Sequence, residues 1–127
     1  MIVIDREKYK MSVFETQKEV HVQVHGFIKE DMVAGYIADL ETTVATVIPR
    51  NYVFVVDATY QSPVPSRVTA ELGPTIMLYA TLGFKDLYII NPKSKIAYVQ
   101  VRNALENVDF PGTVFNTIEE LRASLEY

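Results

Sequence analysis

Tyr52-Val53-Phe54-Val55-Val56 is a run of aromatic and β-branched side chains, and Asp57, Ala58 and Thr59 follow it. Such residues favour a pleated strand, and with no polar residue alternating among them neither face is marked for water. The pattern predicts a strand covered above and below, at the centre of a parallel or mixed sheet. Asp57 falls where that strand is expected to leave the core. Beyond Thr59 the chain reads Tyr60-Gln61-Ser62-Pro63-Val64-Pro65-Ser66, and its two prolines exclude a central strand because proline donates no backbone hydrogen bond. Residues 57–64 are therefore expected to form a long loop. Pro63 and Pro65 should hold it semi-rigid, with Tyr60, Gln61 and Ser62 presented outward.

Upstream, residues 1–5 form a short β-prone run suited to a sheet edge. Residues 9–16 and 19–27 are two further β-prone segments joined by Gln17 and Lys18, which predicts a tight hairpin. In the second segment Val20, Val22 and Val24 alternate with His21, Gln23 and His25, a period of two that predicts one buried and one polar face. Over residues 29–47 the period changes. Val33, Tyr36 or Ile37, Leu40, Val44 and Val47 recur every three or four positions, Glu30 and Asp31 suit a first helical turn, and Pro49 ends the helix.

Downstream, Ser66 is the best N-cap for a second helix to about Leu82, with Val68, Leu72, Ile76 or Met77, Tyr79 and Ala80 inward. Gly73 and Pro74 should bend it or divide it into two short pieces. Gly83 suits a helix C-terminus. Residues 86–91, Asp-Leu-Tyr-Ile-Ile-Asn, form a second strand of the buried kind, parallel to residues 52–57 and beside them. Ser94 caps a third helix through Val108, with Ala97 or Tyr98, Val101, Leu105 and Val108 inward, and Pro111-Gly112 makes a turn. After a short strand at residues 113–115, Asn116 or Thr117 with Glu119 or Glu120 forms a capping box for a last helix ending near Glu126. Strands alternating with helices predict one α/β domain over residues 1–127, with a mixed, mainly parallel sheet, an N-terminal hairpin and about four helices.

Composition narrows the function. The 127 residues are 49% hydrophobic and 22% charged, with no cysteine and a net charge of −4. Disulfides, thiolate zinc sites and cysteine nucleophiles are excluded. The acidic balance argues against nucleic acid and against a basic membrane-binding surface, since phosphate contact needs clustered Lys and Arg. With no long apolar run and no leader-like N-terminus, the expected location is the cytoplasm.

Element order and spacing over residues 11–125 resemble the STAS domain, the family of bacterial anti-sigma-factor antagonists and of the cytoplasmic domains of sulfate transporters. At the end of its central strand that family carries an Asp, a small or apolar residue, and a Ser or Thr phosphorylated by a partner kinase. Asp57, Ala58 and Thr59 match that pattern. The resemblance implies a non-catalytic regulatory domain that binds a protein partner, a kinase-type anti-sigma factor or another regulator, and it leaves a homo-oligomer open. The family has Gly after the hydroxyl residue and starts its helix there, whereas residues 60–65 intervene here. Ser66, as the expected helix N-cap, is therefore the alternative phosphoacceptor. Asp57, Thr59, Tyr60, Gln61, Ser62 and Ser66 are the candidate partner-binding residues.

Other chemistries fit less well. His21 and His25 lie about 13 Å apart on a strand, too far to share one metal ion, and are read as solvent-facing. A phosphoaspartate hydrolase would need a second Asp at position 59, and a receiver domain an early acidic pair. No glycine-rich phosphate loop or nucleophile elbow is present. Tyr60, Tyr79, Tyr88 and Tyr98 read as core. No catalytic residue, metal or cofactor is predicted. The alternative to a partner-binding module is a small-ligand domain or unrecognised enzyme using the crevice at the carboxyl ends of the strands, where Asp57, Thr59, Asn91 and Asn116 would converge. A crevice with several convergent polar groups would favour the ligand, and a flat exposed surface beside Ser66 the partner.

Overall fold

The structure is a computed structural model and describes residues 1–26 and 29–125. The predicted ends of the third strand at Phe27 and of the last helix near Glu126 lie outside the described residues. Strands β1 (Ile2–Asp5), β2 (Tyr9–Phe14) and β3 (Glu19–Gly26) are antiparallel, and β4 (Val53–Gln61), β5 (Asp86–Ile90) and β6 (Thr113–Phe115) run parallel to β3. The sheet order follows the sequence, β1 to β6, so each strand lies beside its neighbours in the chain. Four α-helices accompany it among the described residues: α1 (Val33–Val44), α2 (Leu72–Ala80), α3 (Lys95–Glu106) and α4 (Ile118–Ser124). This is the predicted α/β architecture, with β4 and β5 as parallel neighbours.

Three crossovers, β3-α1-β4, β4-α2-β5 and β5-α3-β6, each step one strand in the same direction. Connections of one hand then place all three helices on one face. That face holds the larger core, in which Tyr36, Leu40, Ile76, Tyr79 and Ala104 pack on Met11, Val22, Phe54, Val56 and Ile89. Among the described residues the other face is covered by α4, with Leu121 seated on Val55 and Ile90, all three fully buried. A central strand with both faces apolar is what this double cover requires.

Four local expectations are corrected. The hairpin turn takes four residues, 15–18, with Lys18 at φ 60°, because β2 already ends at Phe14. The polar face of β3 is only partly solvated: Glu19 and His21 are buried, because α4 lies over them and Arg122 reaches Glu19, while Gln23 and His25 are half-buried. The strand β4 does not leave the core at Asp57. It continues to Gln61, pairing His25 with Tyr60 and Gly26 with Gln61 beyond a bulge, so the loop shortens to residues 62–65. Ser66 is no helix N-cap. Pro65 takes the cap position of a 3-10 segment, Ser66–Glu71, with no side-chain cap bond, and α2 begins at Leu72.

The second helix is thus divided as Gly73 and Pro74 predict. Pro74 sits in the first turn of α2, where its missing N–H would have had no partner in the helix. Residues 62–65 are further fixed by Gln100 of α3, whose Nε2 donates to the Val64 carbonyl at 2.9 Å and whose Oε1 accepts the Val64 N–H at 2.9 Å. Two other caps form as expected. Ser94 accepts the Ala97 N–H at 3.3 Å, and Thr117 accepts the Glu120 N–H at 3.1 Å while the Glu120 carboxylate accepts the Asn116 N–H at 2.9 Å.

Candidate functional site

On the face covered by α4, the ends of β2, β3 and β4, the loop after β5 and the start of α4 enclose a cleft of about 450 Å³. Its position follows from the topology: α4 is short and covers the sheet only in part, leaving space where the parallel strands end. Asp57, Thr59 and Asn116, three of the four predicted crevice residues, line it. Asn91, the fourth, stands behind Asn116, with its Nδ2 donating to the Asn116 Oδ1 at 2.9 Å.

Asp57 is 9% exposed and lies mid-strand opposite Gln23. Its Oδ1 accepts both the Thr59 N–H at 3.1 Å and the Thr59 hydroxyl at 2.5 Å, closing a local turn around the bulge. The bulge shifts the strand's phase, so Tyr60 joins Thr59 on the cleft side and Gln61 turns to the opposite face, lining an apolar cleft between α1 and α2. The Ser62 backbone N–H donates to the Gly26 carbonyl at 2.8 Å. Neither Ser62 nor Ser66 lines the polar cleft.

Tyr60 is 59% exposed, so it is not core; Tyr79 is buried, and Tyr88 and Tyr98 are half-buried. Its ring is nonetheless held, stacked on His25 at 5.9 Å between centroids, with the Lys93 ammonium 5.2 Å from its centre. Lys93 is placed by its own backbone N–H, which donates to the Thr59 carbonyl at 3.0 Å.

Below the cleft, His21 is 7% exposed, and its Nε2 bonds the Glu19 carboxylate at 2.7 Å. Glu19 also accepts Arg122 Nη1 through both oxygens, at 2.7 and 2.8 Å. Burial is the largest influence on His21 and pushes its imidazole below the usual histidine value, against Glu19 and Asp57, which pull it up, and alongside Arg122, which pushes it down. The unfolded chain therefore gains a proton near pH 6.5 that the folded protein resists. Stability linked to His21 is fully present above that pH and declines as pH falls through the folded value. Urea midpoints measured downward from about pH 7.5 should fall below about pH 6.5, and His21→Phe should flatten that part of the profile. A wild-type midpoint constant over this range would exclude a buried neutral imidazole.

His21, Gln23, Lys93, Thr117, Glu119 and Arg122 line the cleft without having been singled out for it by sequence reasoning. For Lys93 a signal existed, because it follows a predicted parallel strand and the crevice lies at such strand ends. For Arg122 there was none, since its partner Glu19 is over one hundred residues away, at a sequence separation of 103. Among the described residues no group of three His, Asp or Glu stands close enough together to hold a metal ion, and no helix is long and apolar enough to cross a membrane. No protein-family model matches the chain, and no curated protein matches it.

Proposed function

We propose that this chain is a non-catalytic binding domain that takes a small polar ligand in the cleft between α4 and the carboxyl ends of β3 and β4. The observation that carries this reading is convergence: polar side chains from β3, β4, the loop after β5 and α4 meet in one cleft of about 450 Å³. Crevices outside the carboxyl ends of parallel strands bind ligands because loops and strand ends bring polar groups from several elements to one place. Catalysis finds less support. The Thr59 hydroxyl donates to the same Asp57 oxygen that accepts the Thr59 amide, so the pair closes a turn instead of poising a nucleophile.

The test is a ¹H–¹⁵N correlation spectrum of labelled protein titrated with pooled neutral polyols, small amines and inorganic phosphate. Saturable shifts at Gln23, Thr59, Lys93 and Asn116 are expected. Shifts confined to Val68, Leu72 and Leu78 of the apolar cleft, or none, would overturn the reading.

A second reading, partner binding of the STAS kind, is favoured by Tyr60. An exposed aromatic ring already immobilised loses little entropy on contact, the property of an interface anchor. Thr59 beside it would be the phosphoacceptor in that case. Tyr60→Ala should then abolish capture of a protein partner, while the small-molecule shifts, because Tyr60 also lines the cleft, are read on the unmodified protein.

A further inference from the structure

The chemistry of the ligand follows from two side chains that line the cleft. His21 and Asp57 both line it and are both more than nine-tenths buried. The Glu19 carboxylate, held by Arg122, is an acceptor, so the His21 Nε2 facing it carries the hydrogen. A buried neutral imidazole with its hydrogen on Nε2 presents Nδ1 as a bare lone pair. Asp57 directs Oδ1 to the amide and hydroxyl of Thr59 and leaves Oδ2. Among the described residues neither His21 Nδ1 nor Asp57 Oδ2 has a hydrogen-bond partner, and neither is sealed from the surface.

Resting on the binding reading above, we propose that the cleft takes a neutral polyhydroxylated molecule, a sugar or cyclic polyol, whose hydroxyls donate to His21 Nδ1 and Asp57 Oδ2. Two such acceptors require two donors from the occupant. Arg122 is neutralised by Glu19, which leaves Asp57 and Glu119 against Lys93: the surplus disfavours an anion, and Lys93 within the cleft opposes a cation. Gln23 and Asn116 each offer a donor and an acceptor, which suits hydroxyl groups that do both. Gln23 lies opposite Asp57 and His21 two residues before it, so the backbones bearing the two acceptors stand roughly 8 Å apart. Hydroxyls on opposite sides of a sugar-sized ring bridge such a separation, once both side chains reach inward.

The experiment titrates the whole labelled chain separately with myo-inositol, D-glucose, ethanolamine and inorganic phosphate. A polyol is expected to shift the Gln23, Thr59 and Asn116 amides saturably. It should also move the His21 Nδ1 resonance toward the hydrogen-bonded value in a long-range ¹H–¹⁵N spectrum of the unmodified protein. Asp57→Asn keeps an acceptor for Thr59 and exchanges the second oxygen for a donor, and it should weaken polyol binding at least about tenfold. The His21 resonance needs no substitution, so it decides the matter even if this variant fails to fold. Ethanolamine or phosphate binding at these amides without any polyol response would overturn the ligand class and leave the binding reading standing. Silence from all four probes at the cleft would overturn both, and polyol affinity retained within twofold in a folded Asp57→Asn protein would overturn the assigned contact.

Discussion

Val55→Asp should abolish the cooperative unfolding transition of this protein. Val55 is fully buried in β4, paired with His21 on one side and Tyr88 on the other, and packed against Ile90 and Leu121 under α4. A carboxylate there would lose its hydration and meet apolar carbon. Several kcal/mol is the expected penalty, comparable with the roughly 5–15 kcal/mol that holds a domain of this size together. Protonation would relieve part of the penalty and still leave a buried polar group. Val55→Thr, with nearly the same shape and one hydroxyl, should cost about 1–3 kcal/mol and retain a sharp melt. Circular dichroism on the two variants checks both expectations. A Val55→Asp melt equal to wild type would remove β4 from the centre of the sheet.

Arg122→Ala should be the most destabilising change on the surface of α4. Glu19 is fully buried, and the Arg122 guanidinium is a cation held against it. Removing one partner of a buried ion pair leaves the desolvated charge uncompensated, worth about 3–5 kcal/mol when both partners are enclosed. Here the Arg122 side chain is 43% exposed and water can replace part of the contact, so about 2–4 kcal/mol is the expected loss. One nitrogen, Nη1, serves both carboxylate oxygens. The geometry is therefore that of a point charge instead of a two-pronged fork, and Arg122→Lys should restore about half of the loss. Replacing the pair together, Glu19→Leu with Arg122→Met, should be less damaging than Arg122→Ala alone. Urea unfolding of the three variants measures this, and an Arg122→Ala midpoint equal to wild type would show that α4 docks through Leu121 alone.

What the sequence made legible was what local composition encodes. The unbroken apolar runs at residues 52–56 and 87–90 had to be covered on both sides, and helices on both faces supply the cover. The caps at Ser94 and Thr117 were equally readable, because each bonds within three residues. The alternation in β3 misled at its first half, since His21 is buried beside Glu19, whose cation lies far along the chain. A period of two reports which residues share a face, and it does not report what covers that face. The end of β4 was hidden for a similar reason. Prolines stop a strand, but pairing with His25 and Gly26 decides how far it runs before them. For the site, Asp57, Thr59 and Asn116 followed from the rule about strand ends. His21 and Arg122 depend on where α4 comes to rest, a tertiary fact with no local signature.

The sequential order of the sheet bears on how the chain acquires its structure during synthesis. No strand is inserted between two that were made earlier, so each new strand meets an exposed edge of the sheet as it leaves the ribosome. Pairings close over one hairpin or one helical crossover, which keeps the entropy of loop closure small and the contacts local for a parallel sheet. The exception is the ion pair between Glu19 and Arg122, which joins the third strand, β3, to α4. The nascent sheet therefore carries a desolvation-sensitive carboxylate on an open face until α4 emerges, and the covering of that face, with the shaping of the polar cleft, waits for that helix.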